Sequence, residues 1–103
     1  MKSKVVWSPQ VQKYVNSKAP EPRQTLWRAI KSLADWKGRE NPPLIRHLED
    51  QLADYSRLRV ARDRVIFRED FERGQRVVKC LHAGPRSTVY ENFQEILLDD
   101  LTT

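Results

Sequence analysis

A run of alternating apolar and arginine side chains limits most strongly what this chain can fold into. In YSRLRV, residues 55–60, Leu58 and Val60 point to one side of an extended backbone, whereas Arg57 and Arg59 point to the other. A period of two residues is typical of a half-buried β-strand, whereas the apolar positions of a helix recur every three or four residues. The segment is therefore predicted to be a strand with one face in a hydrophobic core.

The next segment, RVIFRE at residues 64–69, repeats the pattern. Val65 and Phe67 share one face of this second run. The opposite face holds Arg64, Ile66 and Arg68. The four residues ARDR between the two runs fit a tight connection, and a third run, QRVVKCLHAG, follows the turn ERG. Three such runs predict an antiparallel meander with one face built for a core and the other carrying arginines.

Helical signals dominate the first third of the chain. Residues 3–7, SKVVW, are predicted to form a short strand, after which Ser8 and Pro9 supply an N-cap with proline at the first helical position. The two prolines of APEPR end this first helix, because proline is not tolerated in a helix interior. A second helix is predicted from about residue 22 to residue 37, with Gly38 well placed to end it.

Residues 39–54 are harder to assign. Leu44, Leu48 and Leu52 are four residues apart, which suits either a short helix or an ordered loop whose leucines enter the core. We favour the loop. A final helix is predicted over about residues 89–98, where apolar side chains recur at helical spacing.

The length and composition of the chain set outer limits on its class. With 103 residues and no internal repeat or linker, residues 1–103 are predicted to form a single domain. The apolar runs are only a few residues long, so no membrane span is expected. The amino terminus lacks the apolar region of a secretory signal. A single cysteine, Cys80, excludes an internal disulfide and suits a reducing compartment, so the cytoplasm is the predicted location.

Positive charge is concentrated in the middle of the chain. The net charge is +5; residues 57–86 hold nine Lys or Arg against four Asp or Glu, whereas residues 87–103 hold four acids and no Lys or Arg. A basic block on a small domain favours a phosphate-bearing ligand. Alternation would hold Arg57 and Arg59 about 6.6–7 Å apart, as a fixed pair of forked donors suited to phosphate. Alternatively, the outward face of any sheet must be polar, and arginine serves that purpose.

Few other side chains are placed for chemistry. Cys80 and His82 are close in sequence, but His47 is distant and there is no second cysteine, so no metal site is predicted. The three glycines are isolated along the chain and form no phosphate-binding loop. His82, on a predicted strand, is more typical of a packed or surface residue than of a catalyst.

The segment HAGPRSTVY, residues 82–90, carries the remaining candidates. Arg86 and Tyr90 are four residues apart near the start of the predicted last helix, where a helix N-terminus favours anions. The guanidinium of Arg86 is too basic to accept a proton at neutral pH, so it can only stabilise charge. The hydroxyl of Tyr90 could move a proton. Alternatively, the Tyr90 ring packs on the sheet and has only a structural role.

Taken in order, these motifs resemble a known family. The succession YSRLRV, DRVIFRE and RVVKCLHAGPRSTVY is similar to the C-terminal half of the RelE/ParE superfamily of toxins from bacterial type II toxin–antitoxin systems. In that family R-L-R-V precedes R-V-I-[YF], a strand ending at glycine follows, and then come Arg and, four residues on, Tyr. The similarity covers about residues 48–90. It implies an α+β fold: an N-terminal strand and a helical hairpin packed on one face of a twisted antiparallel sheet, with a basic face opposite and a short C-terminal helix.

The resemblance also implies an activity. RelE-like members are endoribonucleases that cut mRNA in the ribosomal A site and need no metal or other cofactor. Carried over by position, the catalytic residues are Arg57, Arg59, Arg86 and Tyr90, and Arg64 binds RNA. Arg62, Arg68 and Lys79 of the same basic block are predicted to bind RNA as well. The implied partners are a cognate small antitoxin, mRNA and the ribosome.

The same resemblance implies an alternative function and two local differences. ParE-like members inhibit DNA gyrase without catalysis, and a relative of the fold can also be inactive. The residue before Arg64 is often aromatic in the family but is Asp63 here, and the residue before Arg86 is often His or basic but is Pro85 here. Both replacements are expected to lie beside the site, where they would reduce, alter or abolish activity.

Overall fold

Five strands and three α-helices make up the described part of the chain. The computed structural model describes residues 3–36 and 44–102. Within those two stretches, no helix combines the length and the apolar character that crossing a lipid bilayer requires. In chain order the elements are β1 (Lys4–Trp7), α1 (Pro9–Asn16), α2 (Pro20–Ser32), β2 (Ile45–His47), a 3-10 turn (Asp50–Leu52), β3 (Ser56–Val60), β4 (Asp63–Glu72), β5 (Gln75–Pro85) and α3 (Val89–Thr102).

All five strands join one sheet, in the order β1-β5-β4-β3-β2. Strands β3, β4 and β5 pair antiparallel, as the period-two segments predict, and β2 pairs antiparallel with β3. The edge strand β1 instead runs parallel to β5, with Lys4 opposite Val77 and Trp7 opposite Cys80. The predicted α+β class is therefore confirmed, but the sheet is mixed and not purely antiparallel. The partner of β1 lies near the other end of the chain, and local periodicity does not encode that choice.

Two-residue turns connect the central strands. Between β3 and β4 the turn consists of Ala61 and Arg62 alone, so Asp63 and Arg64, predicted as part of the connection, belong to β4. Ala61 has a φ of 54°, a left-handed conformation that is uncommon for a residue with a Cβ. In the turn between β4 and β5, predicted from ERG, both residues have positive φ, as a type I′ hairpin turn requires.

The first two helices begin close to where the sequence signals place them. Ser8 caps α1, and its hydroxyl accepts a first-turn backbone N–H at 3.2 Å. α2 begins at Pro20, two residues before the predicted start, because proline is tolerated in the first turn of a helix. It ends at Ser32. The predicted C-terminal residues Lys37 and Gly38 lie outside the described residues.

The segment predicted as an ordered loop contains a strand. Residues 39–43 lie outside the described residues, but Ile45–His47 forms β2 and pairs with β3. A strand of three residues is too short to show a period, so its pairing with β3 defines it. Leu52 enters the protein interior, as expected, whereas Leu44 is 46% exposed.

The larger hydrophobic core lies between the helical hairpin and the sheet. The predicted inward-facing residues Leu58, Val65 and Phe67 are all at most 2% exposed. The described members of this main core are Val11, Val15, Leu26, Ile30, Leu33, Trp36, Ile45, Leu58, Val65, Phe67, Val78, Cys80 and Ala83. Because burial of apolar surface is the dominant favourable term in folding, the hairpin and the sheet stabilise each other.

A second, smaller cluster occupies part of the opposite face. Ile66, on the arginine side of β4, is completely buried. The second cluster consists of Leu52, Ile66, Val89 and Phe93. α3 begins at Val89, as predicted, but runs to Thr102, beyond the predicted end. α3 therefore covers part of the face that the sequence pattern assigns to arginine.

A side chain of α1 continues the edge of β5 beyond the end of β1. The Gln10 amide donates to the Ala83 carbonyl at 2.7 Å and accepts from the Ala83 N–H at 2.8 Å. Ala83 is only 1% exposed, so water is a poor alternative partner for these backbone groups. Gln10 thus imitates an additional strand residue close to Pro85, where β5 ends.

We expect Gln10→Ala to lower the free energy of unfolding by about 1–3 kcal/mol, because two buried backbone groups of Ala83 lose their partner. For a chain of this length, Tm should fall by at least about 4 °C, measured by circular dichroism. Gln12→Ala, which removes an exposed glutamine from the same helix, is the matched control and should shift Tm much less. Equal Tm values for the two variants would contradict the role of Gln10 at the sheet edge.

Candidate functional site

The predicted arginine pair lies on the sheet face opposite the helical hairpin. Leu58, between Arg57 and Arg59, is 2% exposed in the main core, so the two arginines project to the other side. Arg59 pairs with Arg64 of β4, and residues directly opposite in an antiparallel ladder project to the same side. Arg57, Arg59 and Arg64 therefore share one surface, which we call the arginine surface.

Arg46 extends the arginine surface onto the edge strand β2. It is exposed and pairs with Arg57, whereas its neighbour Ile45 pairs with Leu58 on the core side. The sequence analysis missed Arg46, because the short strand that carries it was predicted as a loop. Its pairing with β3 reveals the outward direction of its side chain.

Arg64 is buried and held by backbone carbonyls. It is 7% exposed, and its Nη1 donates to the carbonyl oxygen of Ala61 at 2.9 Å and to that of Asp63 at 2.8 Å. These two hydrogen bonds restrain the guanidinium beside the β3–β4 turn. Arg64 is therefore a fixed positive charge and not a mobile surface side chain.

Electrostatic interactions connect four of the other predicted residues with Arg64. Burial lowers the pKa of Arg64, and the charge of Tyr90 in its ionised form acts in the opposite direction. The positive charges of Arg57, Arg59 and Arg86 lower this pKa further. Because interaction between charges weakens with distance, Tyr90, Arg57, Arg59 and Arg86 lie near enough to Arg64 to act on its charge. The structure thus brings five of the eight predicted site residues together.

The segment after β5 carries Arg86 and Tyr90 to this surface. The Arg86 N–H donates to the Arg62 carbonyl at 2.9 Å, which ties the segment to the β3–β4 turn. Arg62, Pro85, Arg86 and Ser87 line an open cleft of about 450 Å³. Tyr90 is half-buried and packs against the second cluster. Packing of the Tyr90 ring and a chemical role of its hydroxyl are compatible, since they involve different atoms.

Arg68 and Lys79, predicted as RNA-binding residues, lie farther along the sheet and are ion-paired. Arg68 contacts Asp70 at 3.1 Å, and Lys79 contacts Asp70 at 3.1 Å and Glu72 at 2.9 Å. The hydrogen bond with Glu72 is the main cause of the raised pKa of Lys79, and Lys79 is the main cause of the lowered pKa of Asp70. Four residues of strand, about 13 Å, separate Arg68 from Arg64. The structure does not bring these two cations into the group around Arg64.

A β-bulge separates the environments of Cys80 and His82. The register of β4 against β5 shifts at Ile66/Phe67, so Cys80 pairs with Phe67 on the core side and His82 pairs with Ile66 on the other. Burial raises the pKa of the Cys80 thiol to about 12, which keeps it protonated and unreactive. His82 lies against the Phe93 ring, with centroids 6.1 Å apart, and burial lowers its pKa. His82 is therefore a packed residue.

Solved structures resemble this chain in fold, although no protein-family model and no curated protein sequence matches it. It is similar to a chain of the RelBE2 toxin–antitoxin complex from Mycobacterium tuberculosis, with a TM-score of 0.65 and 16% identity over 84% of this chain and 94% of that one. A chain of an archaeal RelE–RelB complex from Pyrococcus horikoshii has a TM-score of 0.63 and 21% identity, over 84% of this chain and 97% of that one. A YoeB/ParE toxin from Agrobacterium tumefaciens has a TM-score of 0.63 and 14% identity, over 80% of this chain and 97% of that one.

The chain has the RelE/ParE fold. The similarity extends over at least 94% of each of these three chains and over 80–84% of this one. The α+β architecture implied by the C-terminal motifs is therefore confirmed.

Of the two departures from the RelE/ParE sequence pattern, only Pro85 has its side chain beside the site, where it lines the open cleft. The carboxylate of Asp63 accepts a hydrogen bond from the Tyr14 hydroxyl at 2.5 Å and pairs with Lys18 at 2.8 Å. The expectation that the Asp63 side chain lies beside the site is wrong. Asp63 and Arg64 are adjacent in β4 and therefore project to opposite faces of the sheet.

Proposed function

We propose that this chain is the toxin of a type II toxin–antitoxin system and that it cleaves mRNA on the ribosome, in the cytoplasm, as an endoribonuclease. The observation that carries the proposal is the gathering of three arginines and a tyrosine around a buried arginine. The group consists of Arg57, Arg59, Arg64, Arg86 and Tyr90. The RelE/ParE fold supports it, since RelE and YoeB/ParE chains of the same fold are named as toxins or as parts of toxin–antitoxin complexes.

RNA can be cleaved by its own 2′-hydroxyl, without a metal. The O2′–P bond forms as the P–O5′ bond breaks, which leaves a 2′,3′-cyclic phosphate and a free 5′-hydroxyl. During this step the 2′-hydroxyl loses its proton, the 5′-oxygen gains one from water, and negative charge builds on the non-bridging oxygens. A protein therefore accelerates the reaction by placing cations and a proton acceptor at the phosphate.

The arginines would supply the cations. Arg57, Arg59 and Arg86 would donate to the non-bridging oxygens, and fixed donors of this kind commonly contribute about 3–4 kcal/mol each to transition-state stabilisation. Arg64 would contact the RNA backbone as a fixed charge, because its guanidinium is already held by two carbonyls. Preorganisation of this kind avoids the cost of arranging charges during the reaction.

Tyr90 would act on the proton of the 2′-hydroxyl. Among the five grouped side chains it alone can accept one, because a guanidinium has no acceptor and stays charged. The Tyr90 oxygen would take the 2′-proton or hold the 2′-hydroxyl for attack. Arg64, whose charge interacts with Tyr90, would stabilise the negative charge that the departing 2′-proton leaves on the RNA.

The remaining predicted contacts would guide the RNA strand. Arg62 lines the open cleft beside Arg86, and the cleft would accept a neighbouring phosphate. Arg68 and Lys79 would contribute less, since a phosphate there must compete with the carboxylates of Asp70 and Glu72.

A small antitoxin would be the partner that silences the chain. The RelBE2 structure is a toxin–antitoxin complex, and the archaeal RelE structure is likewise a complex, with RelB. A surface of guanidinium groups is costly to cover with apolar residues alone, because a buried unpaired charge is strongly unfavourable. We expect the antitoxin to place carboxylates, on an amphipathic helix or an extended segment, over Arg57, Arg59 and Arg86. Opposite charges on the two surfaces would also speed association.

Induced expression in a bacterial host tests the proposed function. We expect growth arrest with cuts in translated mRNA, mapped by primer extension, while plasmid supercoiling stays normal. Co-expression of the neighbouring small reading frame should relieve the arrest. Loss of supercoiling with intact mRNA would contradict the proposal and favour ParE-like inhibition of DNA gyrase. Normal growth without any antitoxin would identify an inactive relative.

A further inference from the structure

The β3–β4 turn anchors two members of the group around Arg64. The carbonyls of Ala61 and Asp63 accept hydrogen bonds from Arg64, at 2.9 Å and 2.8 Å. The carbonyl between them, that of Arg62, accepts the N–H of Arg86 at 2.9 Å. Three consecutive carbonyls thus set the position of the Arg64 guanidinium and of the segment that carries Arg86.

The turn needs contacts from outside to keep this geometry. Ala61 has a φ of 54°, and the left-handed conformation costs a residue with a Cβ about 1–2 kcal/mol. Such a conformation persists only where the surrounding structure over-determines it.

Asp63 provides an outside contact on the far side of the sheet. Its Oδ1 accepts the Tyr14 hydroxyl at 2.5 Å and pairs with Lys18 Nζ at 2.8 Å, and Lys18 Nζ lies 4.8 Å from the centroid of the Tyr14 ring. The Asp63 side chain is only 12% exposed, so water and salt screen the pair weakly. The hydrogen bond with Asp63 is the main cause of the raised pKa of Lys18, as expected for a favourable pair. These three side chains join α1, and Lys18 two residues beyond its end, to the first residue of β4.

We propose that Tyr14, Lys18 and Asp63 form a positioning clamp for RNA cleavage. The clamp holds the β3–β4 turn against α1. The turn, once fixed, holds Arg64 and Arg86 in the geometry that the reaction needs. This inference rests on the proposed function. Asp63 is a positioning residue and not a catalytic one, because its carboxylate faces α1, away from the arginine surface.

Loss of the clamp should slow the chemical step and leave RNA binding largely intact. Arg57 and Arg59 lie within β3 and keep their ladder partners when the turn moves. A displacement of about 1 Å in a catalytic group can cost about 10²-fold in rate. Removal of the Asp63 carboxylate makes the chain more positive, which by charge alone would strengthen RNA binding. A slower reaction therefore cannot be attributed to weaker electrostatic attraction.

Asp63→Ala provides the main test, with purified toxin and ribosome-bound mRNA. We expect kcat to fall by about 10- to 100-fold, with KM unchanged within about threefold. Hydrogen exchange at the Arg86 amide, measured by NMR, should become at least about tenfold faster, while amides at the centre of β4 and β5 keep their rates. Tyr14→Phe removes one hydrogen bond of the clamp and should give a smaller change in the same direction, which preserves the test if Asp63→Ala does not fold.

Lys18 offers a test by rescue. Lys18→Met should lower kcat and speed Arg86 exchange as Asp63→Ala does, whereas Lys18→Arg keeps the ion pair and should retain most of the wild-type rate. If Lys18→Arg keeps the rate that Lys18→Met loses, the charge contact with Asp63 is what matters. Equal rates for the two Lys18 variants would overturn the clamp.

Glu69→Gln is the matched control. It breaks the Arg76–Glu69 ion pair, at 2.6 Å, which lies on the Asp63 side of β4 but away from the turn. This variant should lower stability without changing kcat or Arg86 exchange. An equal loss of kcat in Glu69→Gln, or unchanged Arg86 exchange in Asp63→Ala, would overturn the inference. If the wild-type chain does not cleave RNA, the proposed function fails, and Arg86 exchange still decides whether the clamp positions the turn.

Discussion

Tyr90→Phe is expected to keep the fold and RNA binding but to slow cleavage of ribosome-bound mRNA by about 10²–10⁴-fold, the usual loss when a proton-transfer group is removed. The fold should survive because phenylalanine preserves the ring that packs against the second cluster. Single-turnover cleavage under saturating toxin measures the chemical step, and thermal unfolding checks the fold.

Tyr55→Phe is the matched control for Tyr90→Phe. The Tyr55 ring also packs against the second cluster and meets the Phe93 ring edge-on, with centroids 5.0 Å apart. This variant removes a hydroxyl from the same cluster, away from the proposed proton transfer, and should cleave at nearly the wild-type rate. If Tyr90→Phe and Tyr55→Phe cleave equally fast, Tyr90 has only the structural role.

The double variant Arg57→Glu, Arg59→Glu is expected to weaken association with RNA or the ribosome by about 10²–10⁴-fold, since each charged hydrogen bond contributes about 1.5–3 kcal/mol. The salt dependence should also become shallower, by about one unit of slope in log K against log salt for each lost phosphate contact. Folding should be nearly unaffected, because the pair lies on the outward face of β3. The Nη1 atom of the half-buried Arg57 is itself buried and has no hydrogen-bond partner among the described residues, so the substitution breaks no hydrogen bond of that atom.

A second charge reversal separates specific contacts from net charge. Lys13→Glu with Arg28→Glu changes the formal charge by the same amount, at exposed positions of α1 and α2 on the other side of the sheet. This control should weaken RNA binding only slightly. Equal weakening by both double variants would show that overall charge, and not the arginine surface, drives binding. Binding like that of the wild type in the Arg57/Arg59 variant would remove the arginine surface from the proposed mechanism.

Much of the candidate site could be predicted because strand alternation ties side-chain direction to position in the chain. Once Leu58 is assigned to the core, Arg57 and Arg59 must face the other way. The spacing of Arg86 and Tyr90 near the start of the last helix made both residues candidates, and the motif order of the resemblance then assigned them a catalytic role. The structure places both around Arg64. Roles in catalysis remain proposals for all five residues.

Other parts of the site depended on contacts that no local pattern encodes. Arg46 joins the arginine surface through the pairing of a three-residue strand. Arg68 has the same alternation as Arg64, yet it pairs with Asp70 and lies far from the group around Arg64. Ile66 interrupts the arginine side of β4 because α3 folds over it.

Local sequence sets the direction of each side chain relative to its own backbone. The existence of strands β3, β4 and β5 and the position where α1 begins could therefore be predicted from local sequence. Which segments meet is a different matter, because it depends on contacts between residues distant in the chain. The parallel pairing of β1 with β5 and the contact of Asp63 with Tyr14 and Lys18 are of this kind. The free energy that selects them comes from burial and pairing across the folded chain, and it has no counterpart in the period or composition of a single segment.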